Sequence, residues 1–211
     1  MALLSPPTMG RVASMPLLRQ PSQVVWLGEA GMGIIEALRE QLASSHWLLE
    51  QCLEGMTAEQ LWWTPPGTAN SVADNYLHVV LNEDDIVQGL LQKQPPLSES
   101  TWIGRTGLST LLGVHGAGAH RSGEWSRWIR GVRVDWLTFR LYAQAVYAAS
   151  DSYVAGCATG ELGRQIDLAA FGLGTQSLNW ALYNLVTGHA VSHAGEIAAV
   201  KGIQGLKGHP F

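Results

Sequence analysis

Four stretches of this 211-residue sequence place apolar residues three and four positions apart, the spacing of one helix face, with glycines or prolines in the gaps between them. The first runs from Ile34 to Leu53, with Ile35, Leu38, Leu42, Leu49 and Leu53 on one stripe. Gly55 follows where a helix-ending glycine is expected. The second starts at Ser71 and continues to about Gln92, where Pro95-Pro96 closes it. The third runs from Asp135 to Gly156 and the fourth from Ser177 to about Lys201. No convincing strand run competes with them; Gln165-Ile166-Asp167-Leu168 alternates only briefly inside the connection 158–176. The pattern predicts an all-α protein, a four-helix bundle with long inter-helix loops.

One domain is expected over residues 33–211, preceded by an N-terminal extension over 1–32 that holds Pro6, Pro7, Pro16 and Pro21 and little periodicity. Val24-Val25-Trp26-Leu27 before Gly28, Gly31 and Gly33 imitates a strand entering a nucleotide-binding loop. No Lys-Ser/Thr follows the glycines and no βα unit comes after, so that reading is rejected. A net charge of −4 without a Lys/Arg run argues against a nucleic-acid partner. No apolar stretch is long enough to span a membrane, and Met1-Ala2-Leu3-Leu4 lacks the basic start of a secretory signal. Cys52 and Cys157 are too few for a disulfide framework and read as free thiols in a reducing cytoplasm. Nine tryptophans against 14% charged residues suggest aromatic contacts in the core, at a pocket or at a homodimer interface.

The chemistry concentrates in the fourth helix. His189 and His193 are four residues apart, so both imidazoles lie on one helix face and can reach one metal ion. They fall on the apolar stripe of Leu178, Leu182, Leu185, Val186 and Ile197, which turns them inward. The small residues Gly188, Ala190, Ser192, Ala194 and Gly195 let another helix approach closely. The best third ligand is His78, on a face of the second helix shared with Asp74, Asn82 and Asp85. Asp74 has the spacing of a capping box with Ser71, and two readings of its role stand side by side: it orients the His78 imidazole one turn away, or it only neutralises the helix N-terminus. Glu83 and Asp84 are assigned to the solvated side. His46, near the edge of the first stripe, is expected to be a satisfied core or boundary histidine. His115 and His120 are assigned to a surface loop within the glycine-rich connection 93–133. The same connection carries Arg121, Arg127, Arg130 and Arg133 beside Trp125 and Trp128. This patch is read first as solvated loop and second as a surface for an anionic substrate or a partner.

Read in order, Met56-Thr57-Ala58-Glu59-Gln60-Leu61-Trp62-Trp63, Pro65, Ala69-Asn70-Ser71, Leu77-His78 with Glu83, and His189-x-x-x-His193-x-Gly195-Glu196-Ile197 resemble the DinB/YfiT-like superfamily. The resemblance covers roughly residues 33–203. It implies a four-helix bundle, often dimeric, that holds a divalent metal through His78, His189 and His193. Glu196 stands where that family usually has glutamine, and Ser192 where it often has a further histidine. Glu196 and Asp74 are the candidate second-layer residues. The family includes thiol-dependent S-transferases, a thiol-dependent isomerase and many members without known activity.

The expected function is therefore a metal-dependent enzyme, a hydrolase or thiol S-transferase, with Zn²⁺ or Ni²⁺ on three histidines. Its partners are a small-molecule substrate and a low-molecular-weight thiol. Such an ion lowers the pKa of bound water to about 7 and of a bound thiol further, giving a nucleophile at neutral pH. Trp63 and Trp180 are expected to wall an apolar pocket. The alternative is a non-catalytic dimerising bundle with a structural metal or none. The number of protein ligands separates the two: three leave a position open for chemistry, four close it.

Overall fold

The long helix α1 (Ile34–Leu53) carries its apolar stripe inward, and Gly55, at φ 73°, ends it as the spacing required. The computed structural model describes residues 32–112 and 124–211. The extension up to residue 31 lies outside the described residues, as do His115, His120 and Arg121. A short α2 (Ala58–Trp62) follows, opened by a capping box in which Thr57 and Gln60 satisfy each other's backbone N–H groups. Helix α3 (Val72–Asp84) opens on the Ser71–Asp74 box and runs on through a π turn at Asp85–Leu91. Helix α4 (Glu124–Ile129) is brief. Asp135 then caps α5 (Trp136–Gly156) by accepting from the Thr138 backbone N–H and hydroxyl. The last helical run comprises α6 (Leu178–Leu182), a π turn at Tyr183–Thr187 and α7 (Gly188–Ile203).

The structure is mostly helical, with one addition that the apolar pattern did not predict. Strands β1 (Gln165–Asp167) and β2 (Thr175–Ser177) pair antiparallel, Ile166 opposite Gln176. Strand β1 falls on the brief alternation Gln165-Ile166-Asp167-Leu168, and at three residues each the strands are too short to make a convincing run in the sequence. The connection 93–133 is also less irregular than expected, since it contains α4 and a 3₁₀ turn at Leu97–Glu99.

Helix α1 packs on α5 and α7, and α3 packs on the same two. Tyr76, Leu49, Phe139 and Ile197 sit at the centre of one apolar cluster; Leu42, Ile86, Val87, Leu178 and Leu182 form a second. Each such side chain contributes roughly 1.5–3 kcal/mol by leaving water. Ala190 and Ala194 are fully buried on α7, so the expected close approach occurs at these two positions, whereas Gly195 and Ser192 are exposed. Among the described residues no helix is long and apolar enough to cross a membrane. Both cysteines are free; Cys52 is buried and Cys157 half-buried.

Polar groups also lie in this core. Glu83 and Asp84, assigned from the sequence to the solvated side, are each 1% exposed. Asp84 accepts from the backbone N–H groups of Leu97 and Ser98 at 2.8 and 2.9 Å and from the Tyr142 hydroxyl at 2.6 Å. Burial holds its carboxyl above the usual range even so. Glu83 lies 2.9 Å from His46 Nε2, and the His46 ring stacks on Tyr147. Glu50 accepts from Arg140 at 2.6 Å, from the Tyr76 hydroxyl at 2.6 Å and from the Tyr147 hydroxyl at 3.2 Å. His46 is thus the satisfied core histidine its position implied.

Removing one member of a buried pair strands the other. Arg140→Ala is expected to cost about 3–5 kcal/mol in urea unfolding. Arg39→Ala breaks an ion pair to Asp151 whose side chains are 43% and 42% exposed, and is expected to cost under about 1 kcal/mol. Equal losses would refute this ranking.

Candidate metal centre

Helix α3 fixes His78 relative to its cap at Ser71, about two turns earlier. Helix α7 supplies His189 and His193 one turn apart. His78 Nε2 lies 3.0 Å from His189 Nε2, which lies 3.1 Å from His193 Nε2. The three rings meet edge to face, with centroids 4.6 to 4.8 Å apart. All three are half-buried, at a seam that still reaches solvent. The three histidines expected to act together are therefore brought together.

The backbone around the pair is specialised. The π turn at Tyr183–Thr187 leads directly into Gly188, where a Cβ would stand 2.9 Å from the Tyr183 carbonyl oxygen. Only glycine fits at that junction without a backbone shift. The Asn82 amide donates to the Leu185 carbonyl within the π turn at 3.2 Å and lies 3.4 Å from His189 Nδ1. One side chain of α3 thereby touches both the turn and the first histidine of α7.

Ring orientation is clearest at His193. Its Nδ1 lies 2.9 Å from Glu196 Oε2 and 3.1 Å from Asn75 Oδ1. Both neighbours only accept, so Nδ1 carries the hydrogen and the Nε2 lone pair faces the other two histidines. Glu196 is 56% exposed, whereas Asn75 is 1% exposed and the firmer of the two.

Of the two candidate second-layer carboxylates, Glu196 reaches a histidine. The Asp74 carboxylate accepts from the Ser71 backbone N–H at 3.2 Å, and the Ser71 hydroxyl accepts from Asp74 in return. The capping reading of Asp74 is the one the structure displays. Asn75, the neighbouring residue, was missed; three positions before His78, it sits on nearly the same face, and that spacing was its only signal. Trp125, read from the sequence as part of a solvated loop, is placed differently. It is buried on α4 with its ring 5.3 Å from His78, edge on. Trp63 packs against the central apolar cluster and Trp180 against the second. A larger cavity, about 710 Å³, lies against Trp47, Tyr183, Val191 and Phe211, and none of the three histidines lines it. Val191 sits about half a turn round α7 from them, so volume alone points to the wrong face.

The donor set suits a metal ion. Two ligand nitrogens about 2.0–2.1 Å from one ion stand about 3 Å apart, the separation found here. Imidazole donors favour zinc, nickel, copper and iron over magnesium or calcium. Among the described residues no carboxylate or cysteine joins the three histidines as a fourth donor. A three-histidine site of this kind can hold a metal ion and leave a position open.

A sequence profile described as the DinB superfamily matches residues 41–197, a span that contains all three histidines. The crystal structure of a conserved protein from Enterococcus faecalis superposes with a TM-score of 0.67 at 20% identity, over 83% of this chain and 99% of that one. At that identity the likeness is one of fold. No curated protein matches the chain.

The tautomer of His193 can be read directly. Long-range ¹H–¹⁵N spectra of metal-free protein near pH 8 should show hydrogen on Nδ1 of His193 and a bare Nε2, a state that Asn75→Ala weakens. A hydrogen resident on Nε2 of His193 would contradict the arrangement.

Proposed function

Since the chain belongs to the DinB superfamily, we propose that its four long helical segments are the bundle of that family and that His78, His189 and His193 hold a divalent metal for catalysis. The observation that carries this reading is the convergence of three Nε2 atoms without a fourth donor among the described residues. Zinc or nickel is the proposed ion, both being metals that imidazole donors favour. When bound, such an ion supplies a positive charge that brings the pKa of a coordinated water or thiol towards neutrality. The reaction class is hydrolysis or thiol transfer on a small molecule.

The chain's own groups have separable tasks. Asn75 and Glu196 keep the hydrogen of His193 on Nδ1 and its lone pair on Nε2. Trp125 covers one edge of His78 and keeps water from that side. The thiols Cys52 and Cys157 fit a cytoplasmic protein. A homodimer is proposed through the outer face of α1 and the last helical run, where Tyr183, Val191 and Phe211 are 56%, 44% and 78% exposed around the larger cavity.

Metal that binds only the folded site stabilises it by mass action. At pH 7.5, Zn²⁺ or Ni²⁺ at about 100 times Kd should raise the melting temperature by about 5–10 °C. Imidazoles must be neutral to bind, and an ordinary histidine titrates near pH 6.5, so protons displace metal as pH falls and the gain should shrink steeply by about pH 5.5. His193→Ala should abolish most of the gain and His115→Ala none of it. Asn75→Ala should weaken metal affinity about 10–100-fold. Equal effects of the His193 and His115 substitutions would overturn the site. Activity screens on the metal-loaded protein, with and without low-molecular-weight thiols, separate transfer from hydrolysis.

The association state is checked by light scattering at micromolar concentration. A mass near twice 22.8 kDa is expected. A monomer mass would remove the dimer from the proposal and leave the histidine site untouched.

A further inference from the structure

Beyond the histidines, the turn after α4 carries Arg130 and Arg133 into the wall of a cavity of about 420 Å³, shared with Trp62, Asp74 and Ile129. Two arginines of the long helices have carboxylate partners: Arg39 is clamped bidentately by Asp151, and Arg140 donates to one oxygen of Glu50. Among the described residues, no carboxylate pairs with Arg130 or Arg133. Both are exposed, yet the backbone that presents them is tied down. The N–H groups of Gly131 and Val132 donate to the Trp128 carbonyl at 2.9 and 3.0 Å. Arg133 donates its N–H to the Ser109 hydroxyl, Ser109 returns one to the Arg133 carbonyl, and Leu108 bridges Val134.

Two residues of the cavity wall stand one helical turn from residues of the histidine centre. Asp74 is one turn before His78 on α3, and Ile129 is one turn after Trp125, the ring against His78. The cavity wall holds two guanidinium groups against one carboxylate, Asp74, which is turned to the Ser71 N–H, so its local charge is positive in a protein whose net charge is −4. A small anion repelled by most of the surface meets an attractive field here. Planar guanidinium forks match a carboxylate bidentately.

We propose that this cavity is a carboxylate-binding subsite: Arg130 and Arg133 hold the carboxylate of a small substrate whose reacting end lies towards His78, His189 and His193. The cavity as an anion site stands on its own geometry; its part in the reaction rests on the metal-centre reading.

The test uses the full chain in EDTA, titrated calorimetrically with succinate at low ionic strength, with neutral succinamide as the control. Succinate is expected to bind and succinamide not. The double substitution Arg130→Gln with Arg133→Gln should weaken succinate at least about tenfold, the loss expected when charge-assisted hydrogen bonds go. Arg127→Gln, on α4 just before that turn and outside the cavity wall, should change affinity less than about twofold. Absence of succinate binding, or equal losses from Arg127→Gln and the double substitution, would overturn the anion site. Circular dichroism confirms that each variant folds. Repeating the titration with saturating Zn²⁺ tests the role in the reaction: succinate affinity should change several-fold, and the change should vanish in His193→Ala. Succinate binding that ignores bound Zn²⁺ would overturn the subsite role. Succinate binding in a protein that takes up no Zn²⁺ would overturn the metal reading instead, leaving the arginine cavity in place.

Discussion

A carboxylate taken out of water must find donors, and Glu50, Glu83 and Asp84 dictate how these helices meet. Glu50 on α1 gathers Tyr76 from α3 with Tyr147 and Arg140 from α5. Glu83 on α3 reaches back to His46 on α1, and Asp84 takes Tyr142 of α5 and two backbone N–H groups beyond Pro96. Each of the side-chain bonds crosses between helices, so rotating any one of the three about its axis would leave a buried carboxylate short of a partner. Apolar packing alone tolerates such slippage; paired charges do not. With α1, α3 and α5 set in rotation, His78 has one direction to face.

Helix α7 joins this frame by different means. Its seam residues Ala190 and Ala194 have no bulk and let the backbones close up. Lys201 donates to the Cys52 carbonyl at 2.7 Å, and its burial lowers its pKa. Asn82 pins the π turn ahead of the pair. The histidines therefore sit where a polar frame meets the small-residue seam of α7, one turn or more before the buried Ile197 and Val200 that anchor that helix in the core.

The spans of the long helices were legible because an apolar stripe that keeps helical spacing over five or more turns buries one face only if the chain is helical throughout. The three histidines were legible because two share a helix face and the third stands on another inward stripe. What failed was the treatment of charge as an outward signal. Glu83 and Asp84 lie beside apolar residues, and their partners His46 and Tyr142 are 37 and 58 positions away, beyond any local pattern. Asp74 and Asn75 are adjacent, so one residue of rotation decided which served the cap and which met His193. Trp125 was hidden by the brevity of α4, six residues in a stretch dominated by glycine.

The π turn at Tyr183–Thr187 gives this last point a sharper form. A π turn holds one residue more than the helix around it needs, and one residue is about 100° of rotation. Everything downstream of Thr187 is turned by that amount relative to an unbroken helix begun at Leu178. The aim of His189 and His193 at His78 is thus set by a count of residues as much as by their identity. A chain that lost one residue from this turn could keep its composition, its apolar seam and both histidines, and still point the pair away from the third.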